Sequence, residues 1–148
     1  MLVYNIAKKM LMDGSLNLLN DPVKVMLVGA SYVPNADDKY VAPSGAGGAE
    51  ISGTGYTPGW GKTGRQLLTN KAVAEDDSGD RGYLTADNVT WTAINAGTVQ
   101  AAILIREGQS DDSTSILIAY IDQGGFPITT NGGDLTIQWS ASGILQIT

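Results

Sequence analysis

The 148-residue chain contains neither cysteine nor histidine. Without cysteine there can be no disulfide staple, no thiolate metal ligand and no cysteine nucleophile. Without histidine the commonest general base and the commonest metal ligand are both missing. Any chemistry would rest on carboxylates, hydroxyls, lysine or tyrosine. Positive charge is also scarce: nine Lys and Arg stand against fifteen Asp and Glu, and no basic residue follows Arg106. Residues 107–148 hold Glu107, Asp111, Asp112, Asp122 and Asp134 with nothing to offset them. A nucleic-acid binder carries a basic face, so nucleic acid and anionic membrane are not expected partners. No apolar run reaches the roughly 18 residues of a membrane-spanning helix. The start MLVYNIAKKMLMDG is too short and wrongly flanked for a secretory signal.

Glycine is abundant, at 19 residues, while charged residues make up 16%. That mixture suits a turn-rich β protein. The length is that of one domain, 1–148, able to bury roughly two thirds of its unfolded surface. Tyr4, Ala7, Met10 and Leu11 recur at near-helical spacing and Gly14 is a natural stop, which predicts a short helix over 4–13. PVKVMLVG after Asn20-Asp21-Pro22 predicts a mostly buried strand. Further strands are expected within 65–76, 87–93, 98–107, 116–122 and 134–139 and in the terminal ILQIT. DDSGDRG (76–82), GQSDDSTS (108–115) and 140–143 read as turns or loops, and Asn131-Gly132-Gly133 as a hairpin. Strands at about ten-residue spacing predict an all-β, antiparallel sandwich, jelly-roll-like. Trp91, Tyr120, Trp139, Ile103, Ile105 and Ile137 read as its core.

Residues 29–63 are the least regular part. They are glycine-rich, contain Pro34, Pro43 and Pro58, and allow only a brief strand around 49–52. A loop this long is usually functional or disordered. Its aromatic residues, Tyr32, Tyr40, Tyr56 and Trp60, predict an arm that touches a partner, because large rings are enriched at interfaces. The N-terminal segment 1–6, with Tyr4, is a second expected contact region.

Three sequences resemble chemical sites. GYTPGWGKT (55–63) ends like a phosphate loop in Gly61-Lys62-Thr63. With four residues left between the two glycine positions, the place before Gly61 that requires Gly holds Tyr56, and no helix is expected afterwards, so a nucleotide site is not predicted. EDDSGDRGYLTAD (75–87) begins like a calcium loop. Arg81 stands where Gly is needed and Asp87 where Glu is needed, so a solvated turn is the better reading. A weak cation site near Asp76, Asp80 and Asp111 is the open alternative. Fifteen acids permit many glycosidase-like pairs, and sequence selects none of them. No cofactor and no catalytic residue is therefore expected. An exposed sugar platform would have to use Tyr56 and Trp60.

The blocks NLLNDPVKVMLVGASYVPNADD, AEISGTGYTPG, TADNVTWTA, LIAYIDQGG and NGGDLTIQWSASGIL occur in this order over nearly the whole chain. Together they resemble a family of small virion proteins of tailed bacteriophages. The family often carries His after its Tyr-x-Pro block, where this chain has Asp37-Asp38-Lys39, and YVAPSGAGGAE is particular to this chain. The resemblance implies a non-catalytic decoration (cement) protein on the outer surface of the head. Its partners would be the major capsid protein and further copies of itself, commonly as a trimer. A tail or fibre component, or a sugar-binding module of a spike, are the alternatives.

Overall fold

The computed structural model describes residues 1–148. Its centre is a five-stranded antiparallel sheet in the order β1-β9-β8-β2-β3, formed by β1 (Leu2–Val3), β2 (Val23–Val28), β3 (Gln66–Leu67), β8 (Ala101–Arg106) and β9 (Ile116–Ile121). The inner strands β2, β8 and β9 are apolar on both faces and almost wholly buried. Such strands must be covered on both sides, and two separate core clusters do this. Val25, Leu27, Ala102, Leu104 and Ile118 point to one cluster. Met26, Val28, Ile103, Ile105 and Leu117 point to the other. A register shift between Leu104 and Ile105 lets Ile118 and Ala119 both face the first cluster, as an extra bulged residue does.

The first face is closed by antiparallel ribbons. β6 (Val89–Trp91) pairs with β11 (Leu135–Ile137), and β7 (Thr98–Val99) pairs with β10 (Ile128–Thr129). A three-stranded sheet has the order β12-β5-β4, with β4 (Ala72–Asp76), β5 (Arg81–Thr85) and β12 (Leu145–Ile147). Helix α1 (Asn5–Met12) adds Ala7, Met10 and Leu11 to this side. It ends at Gly14, whose φ of 75° an L side chain adopts only with strain. The protein is thus mostly β, antiparallel, with a short N-terminal helix, as the spacing of apolar residues predicts.

The second face is covered by the segment expected to be a free arm, and this is the main correction. Within 29–63 the chain forms α2 (Val41–Ser44) and a 3-10 turn at Gly47–Ala49. Tyr32, Val41, Ala46 and Ala49 pack on Met26, Ile103, Ile105 and Leu117. Backbone hydrogen bonds fasten the segment to β2 and β9: Ile51 to Leu27, Leu117 to Lys39, and Val41 to Ser115 just before β9, while Gly29 to Ala49 closes the segment on itself. The physical cause lies elsewhere in the chain. A sheet apolar on both sides needs a second layer, and this segment supplies it without a periodic pattern of its own.

Three smaller expectations also change. The strands expected over 65–76 and 98–107 are each two strands in different sheets: β3 and β4, separated by a turn in which Asn70 takes φ 50°, and β7 and β8, separated at Gln100. Asn131-Gly132-Gly133 is a turn but not a hairpin, since the flanking β10 and β11 pair with β7 and β6. Its groups bond Ile94 instead. The residues read as one core divide between the clusters: Trp91 and Ile137 lie in the first, Ile103, Ile105 and Tyr120 in the second, and Trp139 is only half-buried at the margin.

Candidate functional site

Residues 55–63 lie over a buried charge cluster. The Arg65 side chain is fully buried. Its guanidinium grips Glu50 through Nε at 2.9 Å and Nη2 at 2.7 Å. It grips Asp112 through Nη1 at 2.7 Å and Nη2 at 2.8 Å. Glu107 accepts a longer bond from Nη1 at 3.3 Å and a short one from Lys24 Nζ at 2.6 Å. The planar fork of arginine can hold two carboxylates side by side in this way, whereas the ammonium of lysine cannot. Arg65 and its three acids come from distant parts of the chain: the cover segment, the start of β3, and the loop between β8 and β9. The cluster therefore ties all three together.

The same carboxylates organise the loop that spells a phosphate motif. Gly59 N–H donates to Glu50 Oε2 at 3.0 Å, and Gly61 N–H to Glu107 Oε1 at 3.3 Å. Backbone N–H groups that would wrap a phosphate are already turned on the protein's own anions. Gly64 follows, then Arg65 and β3, with no helix to direct a dipole at a ligand. Gly64 is required by close approach. A Cβ there would lie 2.5 Å from the Thr57 carbonyl and 2.6 Å from the Tyr56 ring.

The five aromatic residues expected at subunit contacts separate into two groups. Tyr4, Tyr32 and Tyr56 are buried within this chain. Their rings complete its own core and offer no face to a neighbour, so their nomination as surface contacts is corrected. Tyr4 and Tyr32 share a hydroxyl hydrogen bond of 2.9 Å, and Tyr32 donates to Asp38 at 2.8 Å. The Tyr56 hydroxyl accepts from Leu27 N–H at 3.0 Å and donates to Glu50 at 2.8 Å. Tyr40 is half-buried, and Trp60 is 37% exposed with its indole N–H on the Gly108 carbonyl at 2.7 Å. With Tyr56 inside, the expected Tyr56–Trp60 sugar platform does not form. The segment 1–6 is likewise occupied internally: Leu2 and Val3 pair with Tyr120 and Ala119 of β9.

Burial raises the pKa of all three tyrosines. Tyr32 is pushed up to about 12, chiefly by burial, and Tyr4 and Tyr56 are also raised by burial first. A hydroxyl whose folded pKa exceeds its unfolded value near 10 stabilises the protein fully below about pH 10. That contribution is lost as pH rises through the folded values. Stability in urea is therefore expected to be level from neutral pH to about 10 and to fall steeply above it. Tyr32→Phe should lessen the steepness, and an unchanged slope would count against the assignment.

The acidic turn 76–82 is the tip of the β4–β5 hairpin. Asp76 bonds Arg81 Nη2 at 2.7 Å, Ser78 Oγ at 2.8 Å and Gly79 N–H at 3.1 Å. Asp111 accepts from Ser113 N–H at 2.8 Å. Asp76, Asp80 and Asp111 do not converge, and no three acid side chains stand together as cation ligands.

The recessed surface lies elsewhere, where sequence reading pointed to no site. A cleft of about 670 Å³ is lined by Met1, Phe126, Ile128, Trp139 and Ile144, with Gln123, Gln138 and Gln146 as polar members and no charged side chain. The Trp139 ring is held by its N–H on the Asp87 carbonyl at 2.9 Å. A second cleft, of about 440 Å³, continues beyond Gln146 between α1 and β12. Both combine residues near the two chain ends, which no local motif could reveal. No protein-family model, curated protein or solved structure matches this chain.

Proposed function

We propose that this chain is a non-catalytic structural protein of a tailed-bacteriophage virion, acting as a decoration protein on the outer face of the head. The observation that carries the reading is the division between committed and open surface. The buried charges and hydroxyls are bonded to one another. The open recesses are almost uncharged, and Met12 at 84% and Ile147 at 67% stand exposed beside one of them. That is a surface for complementarity rather than for acid–base chemistry. The ordered sequence blocks that resemble phage virion proteins support the same reading. In it the five-stranded sheet and the ribbons form the two layers of a jelly-roll-like body, and Tyr40 and Trp60 are its outward aromatic contacts with the major capsid protein.

Heads lacking the protein, mixed with purified chain and sedimented, are expected to take it up to a fixed ratio. The double variant Tyr40→Ala, Trp60→Ala should fold normally and bind at least about tenfold more weakly. Binding confined to tails, or none to any particle, would overturn the reading. Point variants suit this measurement, since removing 36–62 would strip Val41, Ala46 and Ala49 from one face of the central sheet.

One observation favours a second reading. The cleft with Trp139 combines a fixed ring with neutral amides, which suits a neutral glycan. Glycan binding abolished by Trp139→Ala would favour a sugar-binding module of a spike.

A further inference from the structure

We infer that copies of this chain associate by strand addition, the free edge of β4 in one copy entering the trough between α1 and β12 of another. The inference adds self-association to the proposed function, and it rests on the strand edges themselves. β4 pairs only with β5, and β12 only with β5, so the three-stranded sheet is open at both sides. β4 has five residues and is the longest strand with a free edge. Ala72, Val73, Ala74 and Glu75 are all exposed, so both faces of the strand are bare as well as its edge. An exposed edge of this kind is a template for pairing unless it is blunted. Here the charges stand at one end, Glu75 and Asp76, while Ala72–Ala74 carry none. Val73 is 58% exposed.

The receiving trough has matching chemistry. Val3, Leu11, Met12, Leu145 and Ile147 form its apolar walls, and its one charged side chain is Lys8. The hairpin 72–85 is acidic, with Glu75, Asp76, Asp77 and Asp80 against Arg81. Arg81 is already paired with Asp76 at 2.7 Å. Lys8 makes no salt bridge and touches only the Asn5 amide at 3.1 Å. An entering β4 would set Val73 on the apolar walls and Glu75 toward Lys8. Backbone pairing supplies affinity in such additions and side-chain pockets supply register. Donor and acceptor are different surfaces, so the contact is head-to-tail, and it closes into a ring or continues as a filament according to its rotation.

Sedimentation of the purified chain over concentrations up to millimolar tests this. The wild type is expected to self-associate reversibly. Val73→Lys, Lys8→Glu and Glu75→Lys should each weaken association at least about tenfold with unchanged circular dichroism. The pair Lys8→Glu with Glu75→Lys should regain most of the loss, which a merely damaged surface would not. A wild type that stays monomeric overturns the inference, as does association indifferent to Val73→Lys or a charge swap that restores nothing. A monomer that still decorates heads would sink this inference and leave the capsid reading standing. Self-association without head binding would do the reverse.

Discussion

Arg65→Ala is expected to destabilise the fold by about 3–5 kcal/mol, the usual cost of breaking a buried ion pair from one side. The substitution leaves Glu50, Glu107 and Asp112 close together with only Lys24 at their margin. Glu50 would be a buried carboxylate without its cation, and its repulsion from Asp112 would act across the three segments the cluster joins. For a chain of this length the loss corresponds to a fall in Tm of roughly 6–20 °C. Arg65→Lys should recover little, since a point charge cannot hold two carboxylates bidentately. Thermal unfolding followed by circular dichroism checks this, and a loss below about 1 kcal/mol would show that the cluster is solvated rather than buried. The cluster also sets an acid limit. Burial alone would raise the Asp112 carboxyl, but hydrogen bonds from Arg65 and Ser115 and the charge of Arg65 outweigh it and hold it below the usual carboxylate range. Stability from this group is present above the unfolded pKa, near 4, and is lost as pH falls through the lower folded value. In Asp112→Asn that acid slope should be shallower.

Trp91→Ala should cost a similar amount, about 3–5 kcal/mol. Trp91 is 1% exposed, and its indole N–H reaches the Gly64 carbonyl at 2.6 Å. Its ring lies 6.5 Å from that of Tyr56. Removing it would open a cavity beneath the β6–β11 ribbon and orphan the carbonyl of a glycine that has no room to move. Trp60→Ala is the internal comparison: it gives up one exposed contact and one hydrogen bond, worth about 1 kcal/mol. Urea unfolding of both variants decides between them. If Trp91→Ala costs no more than Trp60→Ala, the placement of the two rings is wrong. The comparison matters for function too, because a Trp60 variant that still folds is needed for the binding measurements.

The strands were legible wherever one face alternates or a run is apolar throughout. PVKVMLVG and ILIAYID declare themselves by period and length, as do the turn at 76–82 and the stop at Gly14, whereas TVQAAILIRE reads as one strand but divides at Gln100 into β7 and β8 of different sheets. The cover segment was not legible. Tyr32, Val41, Ala46 and Ala49 follow no period of 2 or 3.6, because their spacing answers the contour of the sheet beneath them. The same gap misled the reading of its aromatic residues: Tyr32 and Tyr56 look like contact residues until the surface they cover is known. Of the site, the off-by-one count in GYTPGWGKT could be read directly, whereas Arg65 could not be distinguished from any other arginine. Its three acids lie 15, 42 and 47 residues away along the chain.

The sequence by itself determined the β-rich antiparallel class, the short helix before Gly14, the lack of histidine and cysteine chemistry and the failure of the phosphate motif. These follow from composition and from local spacing, which are properties of neighbours in the chain. Only the tertiary structure decided that the glycine-rich stretch is a layer and not an arm. It alone turned the loop amides of Gly59 and Gly61 onto Glu50 and Glu107, and it alone left β4 and β12 with open edges. Each of those outcomes depends on which distant segments meet. Burying a sheet on both faces and pairing a charge removed from water are requirements of the folded whole, and no window of the sequence contains them.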